Sequence, residues 1–344
     1  MTIPVIDPFN ITTDSNLSFL TAALNPITVQ QELAKNLPQP LQKSNLCAIR
    51  VIRHKPGRRC LIEYDLTIKN PNNSTIPITF LGKVRAKGTD FKSYQLNQTL
   101  WQKGFTDNSN DGISIPEPIA VIPDFQMWLQ RKVPGVTATK LLPQPKGIPL
   151  AKRIAEAIHK LHQAKIPPQR RHTIADELRI LHERLPLVAQ LKPQWESRLE
   201  QILAGCDRVA AMTPEPQLLG IHRDFYSDQI IVDGTRLYLL DLDLYCQGNP
   251  GLDIGNFIGH ITEQSLRTLG NPEALMDREN ALTERFIQLT GEALRPAIQS
   301  YTTLTLVRHI YISTQFPERC PFTETILELC EQRLAKQCVT SVGT

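Results

Sequence analysis

Residues 220–256 read GIHRDFYSDQIIVDGTRLYLLDLDLYCQGNPGLDIGN. Two acidic clusters flank what reads as a short hairpin. The first is His222-Arg223-Asp224, with Gln229 five residues on. The second is Asp241-Leu242-Asp243, with Asp253 further along. Between them Ile230-Ile231-Val232 and Leu237-Tyr238-Leu239-Leu240 have strand composition, and Asp233-Gly234 supplies a turn. A hairpin of that size returns Asp241 toward Asp224 and Gln229. Carboxylates gathered in this way repel one another unless a cation lies among them. Mg²⁺ takes oxygen ligands, commonly one or two carboxylates together with substrate phosphates. A further carboxylate is then available as a base. That is the layout of a phosphoryl-transfer site.

The order His-x-Asp, four residues, an amide, a hairpin, then Asp resembles the catalytic core of the protein-kinase-like fold. Nothing in the chain reads as Asp-Phe-Gly followed by an activation loop and Ala-Pro-Glu. Instead Leu240-Asp241-Leu242-Asp243 runs into Gly248-Asn-Pro-Gly-Leu-Asp-Ile-Gly-Asn256. The stretch Ile154-Ala-Glu-Ala-Ile158-His-Lys-Leu161-His162 fits a first large-lobe helix. Trp128-Leu129-Gln130-Arg131-Lys132-Val133-Pro134-Gly135 fits a hinge. Together these segments, across residues 45–265, are similar to the aminoglycoside phosphotransferase and choline kinase family of small-molecule kinases.

The resemblance implies an α+β, two-lobed protein-kinase-like fold: a small antiparallel β-rich lobe, then a larger, mainly helical one. It implies the small lobe at 46–135 and the helical lobe with the catalytic loop and metal site at 136–344; residues 1–45, polar and Pro-punctuated, read from their own pattern as a mainly helical N-terminal extension. Carried over position by position, Asp224 would be the catalytic base. Asp241 and Gln229 would hold Mg²⁺, with Asp243, alternating with Asp241 along an extended segment, facing the same side. Lys83, in Phe80-Leu-Gly-Lys-Val-Arg-Ala86, would contact the phosphates of ATP, and the backbone of Leu129 to Arg131 would bond adenine. Asp253 would hold the catalytic loop by hydrogen bonds. The acceptor would be a small-molecule alcohol. Two positions depart from the family: Gln229 stands where Asn is usual, and the helix Phe91–Trp101 carries no acid to pair with Lys83. Gln95 or Gln98 would then be its uncharged partner. The same departures define the alternative, a nucleotide-binding pseudokinase or regulatory module. A metal-dependent glycosyltransferase built on Asp241-Leu242-Asp243 would need a parallel-sheet domain ahead of it, which the first 135 residues do not suggest.

Composition narrows the field. The chain has 344 residues and 41% hydrophobic composition, enough for more than one core. A net charge of +4 suits a site for anionic phosphate and does not suggest a nucleic-acid-binding protein, which would carry a dense basic stripe. Five basic residues, Arg50, Arg53, Lys55, Arg58 and Arg59, sit in the first hairpin, as a phosphate clamp or as a solvated face. Seven cysteines at scattered spacing imply reduced thiols and a cytoplasmic setting. No signal peptide and no membrane partner are expected, since no apolar run approaches ~20 residues. Oligomeric state is open. His159 and His162, lacking the Glu of a His-Glu-x-x-His metal motif, read as helix-face residues.

Overall fold

The computed structural model describes residues 2–69, 74–215 and 217–340, with side chains through residue 337. Pro71-Asn72-Asn73-Ser74 reads in sequence as a turn; its first three residues lie outside the described residues, as does the side chain of Cys338. The chain forms two compact units, Met1–Gly135 with Gly234–Leu240, and Val136–Asp233 with Asp241–Thr344.

The first unit is built on strands β1 (Val5–Ile6), β2 (Asn45–Lys55), β3 (Arg59–Lys69), β4 (Thr75–Arg85), β5 (Ile113–Ser114), β6 (Pro118–Ile122) and β7 (Met127–Arg131). Its helices are α1 (Leu20–Ala23), α2 (Pro26–Asn36) and α3 (Phe91–Gln102). Six strands form one sheet in the order β1-β2-β3-β4-β7-β6. It is antiparallel except where β1 joins β2. Along β3, Cys60, Ile62, Tyr64 and Leu66 alternate into the core, as the period of a strand requires. The first 45 residues share that core: Leu17, Leu20, Val29 and Leu33 pack with Ile49, Ile62 and Phe80. Asp90 caps α3 by accepting from Ser93 N at 3.1 Å, and Gly104, at φ +90°, follows the helix as a glycine terminator. Residues 113–122 read in sequence as one strand of this antiparallel sheet, and the structure divides them. Ile113–Ser114 leaves the antiparallel sheet and pairs in parallel with β11 (Arg236–Leu239), because Pro116, between the two pieces, has no N–H to give a ladder.

The second unit holds β8 (Val136–Thr137), β9 (Leu219–Ile221), β10 (Ile230–Asp233) and β12 (Cys246–Gly248). Eight helices surround them: α4 (Ala138–Leu141), α5 (Gly147–His162), α6 (Ile174–Leu191), α7 (Glu196–Met212), α8 (Gly251–Leu269), α9 (Met276–Thr290), α10 (Arg295–Thr314) and α11 (Thr323–Thr340). On α5, Ile154, Ile158 and Leu161 are buried on the face their spacing predicts. The sequence offers two places for a helix break in 173–204, near Pro186 or Pro193, and the break falls at Pro193: α6 ends at Leu191 and α7 begins at Glu196. The helix runs to Leu191 because Pro186 and His182, whose carbonyl loses its partner, both lie on the exposed face, where water can replace it. Helices α8 and α10 pack backbone to backbone. A Cβ at Gly255 would meet Tyr301 Cβ at 2.6 Å, and one at Gly259 would meet Thr305 Cγ2 at 2.7 Å. Among the described residues no helix is long and apolar enough to cross a membrane.

Candidate active site

The ladder between β9 and β12 fixes where the two acidic clusters emerge. Ile221 pairs with Cys246 and Leu219 with Gly248, antiparallel. The chain therefore leaves β9 into His222-Arg223-Asp224 at the same end at which Asp241–Tyr245 enters β12. The sequence-predicted base and metal ligand share one end of one ladder. Between them the turn falls where expected: β10 ends at Asp233, Gly234 sits at φ +57°, and β11 begins at Arg236.

The loop after β9 is clamped from α8. Asp253, fully buried, accepts from His222 N at 2.9 Å through Oδ2 and from Arg223 N at 2.7 Å through Oδ1. This is the bracing role expected for it. Arg223 adopts φ +72°, a conformation unfavourable for a side chain with a Cβ, and the Asp253 bonds hold it there. Asn256 adds a second clasp, donating to the Phe225 carbonyl at 2.9 Å. The His222 and Phe225 rings lie 5.5 Å apart, and Phe225 and Phe257 5.1 Å. Further along, Tyr226 stacks on His260 at 4.6 Å, and Thr139 Oγ1 donates to Ser227 Oγ at 2.8 Å. Asp224 stands within this held loop, part-buried, with no hydrogen bond or ion pair of its own among the described residues.

A second layer holds the clasps, and sequence reasoning missed it. His162, at the end of α5, binds Asp253 Oδ2 through Nε2 at 2.8 Å. Arg308 on α10 donates to Asn256 Oδ1 and, at 3.0 Å, to Glu177 Oε2 on α6, whose other oxygen meets His172 Nε2 at 2.6 Å. Burial would raise the Glu177 carboxyl, but Arg308 and His172 outweigh it and hold it below its ordinary value. The only hint in sequence was the placing of Asn256 three residues after Asp253, one turn along the same helix. The partners of that turn come from α5, α6 and α10, which no local pattern connects.

Around the second cluster the donors are all oxygens, the set Mg²⁺ prefers. Gln229 is buried at 8% exposure in a 3-10 turn, and Asp241 takes a left-handed conformation at φ 52°. Among the described residues no group of three or more His, Cys, Asp or Glu could hold a metal ion. The expected set of two carboxylates and one amide is of a different composition. The alternation argument for Asp243 is corrected. Asp241 opens a 3-10 turn over Leu242–Leu244, not an extended segment, so residues two apart do not face one way.

In the first unit, Lys83 on β4 is paired in register with Leu61 and Trp128. Its partner is aromatic. The ammonium lies 5.0 Å from the Trp128 ring centroid, and Trp128 in turn contacts Tyr94 of α3 at 5.9 Å. The expected amide partner is not used: Gln98 Nε2 donates to the Tyr94 hydroxyl at 2.9 Å. Trp128, read from sequence as a packing residue, is also this cation's contact. Leu129 is fully buried between Gly82 and Ala120, and the Arg131 N–H donates to the Glu117 carbonyl at 2.9 Å, so that donor is engaged in the sheet. In the basic first hairpin, Arg50 is paired with Glu63 at 3.3 Å and with Asp65, which makes it part of an ion-pair cluster on the sheet. The Gly57 N–H at its turn donates to Asp14 at 2.7 Å.

Residues 106–284, more than half of the chain, match the model of the phosphotransferase enzyme family, and the chain belongs to that family. A comparison with curated proteins gives no match. Among solved structures, a choline kinase from Cryptosporidium parvum aligns with a TM-score of 0.55 at 14% identity, covering 93% of this chain and 98% of that one. Aminoglycoside phosphotransferase APH(4)-Ia, as a thermostable mutant with AMP-PNP and hygromycin B, aligns with a TM-score of 0.55 at 13% identity, over 90% and 98%. A glucosamine kinase aligns with a TM-score of 0.53 at 13% identity, over 82% and 92%. At these identities the likeness is one of fold, and the fold is the α+β fold of small-molecule kinases.

Proposed function

We propose that this protein transfers the γ-phosphoryl group of ATP to a hydroxyl of a small molecule, with Asp224 as base. One observation carries the reading. Both oxygens of Asp253 are engaged by the backbone of His222 and Arg223, which fixes the loop and leaves the adjacent Asp224 without a partner among the described residues. A carboxylate so placed accepts the acceptor hydroxyl's proton as that oxygen bonds to the γ-phosphorus and the bond to the β-phosphate oxygen breaks, releasing ADP. Asp241 and Gln229, with Asp243 as a further oxygen donor, would hold Mg²⁺, which when bound neutralises phosphate charge. The nucleotide part of the reading rests on Lys83 and on the strand segment Leu129–Arg131. The relatives of this fold named above include proteins that take choline, glucosamine or hygromycin B, so a hydroxyl-bearing amine or sugar is the first acceptor class to test. Incubation with ATP, Mg²⁺ and such acceptors, read by mass spectrometry, tests the reading.

The Lys83–Trp128 contact favours a second reading, a nucleotide-binding module with weak or no transfer. A cation–π contact is worth roughly 0.5–1 kcal/mol at exposed sites and more when desolvated, so it holds Lys83 less firmly than a carboxylate would. Trp128→Phe keeps a ring but weakens this hold. We expect about a threefold rise in the nucleotide KM with little change in kcat, measured in steady-state kinetics. An unchanged KM would show that Lys83 needs no help from the ring. ATP-dependent thermal stabilisation without transfer to any acceptor would favour the second reading over the first.

A further inference from the structure

Helix α8 has two working faces. Asn256, His260 and Gln264, spaced four apart, turn to the loop: Asn256 bonds Phe225, His260 stacks on Tyr226, and Gln264 accepts from Ser227. Ile258 and Thr262 lie about 200–240° round the helix from Asn256, on the opposite side. There α8, α9, α10 and α11 line an open cleft of about 420 Å³, with walls that include Ile258, Glu279, Ile298, Thr302, Arg333 and Lys336. A second cavity of about 280 Å³ shares Glu279, Arg333 and Lys336 with it. Nothing in the phosphotransfer reading uses these residues.

Glu279 is the unusual member. It forms no ion pair among the described residues, and its one hydrogen bond is with the Thr262 hydroxyl, at 2.9 Å. That hydroxyl also lies 3.0 Å from the Ile258 carbonyl. One hydroxyl proton cannot serve both acceptors. A protonated Glu279 resolves this, donating to Thr262 while Thr262 donates to Ile258. Burial pushes the carboxyl up to about 7, against the pull of Arg333 and Thr262, with Glu273 pushing the same way as burial. Arg333 donates to Thr262 at 3.3 Å and makes no ion pair among the described residues. Arg295, also on the wall, is engaged by Glu284 at 2.6 Å and Glu292 at 2.7 Å. Arg333, with no ion pair among the described residues, thus stands near a carboxyl that burial pushes up, in a cleft with apolar walls from Ile258 and Ile298. Shifted titratable groups of this kind gather at binding sites.

We propose that this cavity is a second ligand site, for a short-chain oxyanion (a carboxylate or a phosphate monoester), with Arg333 as its charge partner and Glu279 as the group whose ionisation opposes it. An anion there opposes ionisation of Glu279, so its affinity falls as pH rises through the range in which Glu279 loses its proton. The groups facing Glu279 are Thr262 and Ile258 from α8, Arg333 and Lys336 from α11, the Arg295–Glu284 pair, and Glu273 ahead of α9. Of the acids, Glu284 is held by Arg295 at 2.6 Å, and Glu273 is exposed.

The test is calorimetric titration of the full chain, without nucleotide, with succinate, glycerol 2-phosphate and inorganic phosphate at about pH 6 and about pH 8. At least one probe should bind at about pH 6 and bind about tenfold more weakly at about pH 8, the loss of roughly one charged hydrogen bond. Glu279→Gln should flatten that pH response. Arg333→Met should weaken binding about tenfold at both. In methyl-labelled wild-type chain, the Ile258 and Ile298 resonances should shift with the probe, a readout that survives if a variant fails to fold. Which probe binds distinguishes a carboxylate from a phosphate source. The proposal is overturned by any of three results: no probe binding at about pH 6, binding that moves neither isoleucine, or a pH response that persists in Glu279→Gln. Because no nucleotide or transfer is measured, failure here is separable from failure of the phosphotransfer reading.

Discussion

Asp224→Ala is expected to lower phosphoryl transfer by about 10³-fold while leaving the melting temperature close to that of the wild-type chain. A positioned general base contributes about 10²–10⁴-fold, and the remaining rate reflects positioning and charge neutralisation, which the substitution spares. The stability half of the expectation follows from the geometry. Asp224 is part-buried and makes no hydrogen bond or ion pair among the described residues, so its removal leaves no orphaned partner. Single-turnover kinetics beside a thermal melt check both halves. A large fall in melting temperature would make Asp224 a structural residue.

Asp253→Ala is expected to behave in the opposite way, destabilising the chain by about 3 kcal/mol or more and lowering transfer as well. The substitution strips the acceptor from two backbone N–H groups, at 2.9 and 2.7 Å, and from His162 at 2.8 Å, all in a fully buried setting. Removing one partner of a buried pair leaves the other desolvated and unmatched, which costs about 3–5 kcal/mol. Arg223 would also lose the bond that holds its positive φ, and Asp224 beside it would drift. Misplacement of about 1 Å can cost about 10²-fold in rate. Asp253→Asn keeps one carbonyl acceptor and should lose less of both. Chemical denaturation of the two variants checks the order; equal stability of Asp253→Ala and the wild-type chain would mean that the brace carries no load.

The loop and its brace were legible in sequence because they lie within one continuous stretch. His222, Asp224, Gln229, Asp241 and Asp253 each stand at a readable spacing, and β9, the turn at Gly234 and β12 follow from local chemistry. What escaped reading depends on long-range register. Trp128 becomes the neighbour of Lys83 only when β4 and β7 pair, and Arg308 reaches Glu177 only when α10 crosses α6. Two local readings failed for backbone reasons. Asp241 takes the left-handed region and starts a 3-10 turn, which removes the alternation assumed for Asp243. Pro116, which has no N–H for a ladder, divides the strand expected at 113–122. The cavity behind α8 was invisible in the same way: Glu279 and Arg333 stand on two helices separated in sequence by all of α10, and each alone reads as an ordinary surface charge.

Asp224 is proposed here as the base of an ATP-dependent transfer to a small hydroxyl compound. Its most direct test is mass spectrometry of a metabolite panel, rich in amino-alcohols and amino-sugars, incubated with ATP and Mg²⁺ and with either the wild-type or the Asp224→Ala chain. An acceptor should gain one phosphoryl group with the wild-type chain and scarcely any with the variant. Transfer at the same rate by both chains, or none by a wild-type chain that demonstrably binds ATP, would contradict it.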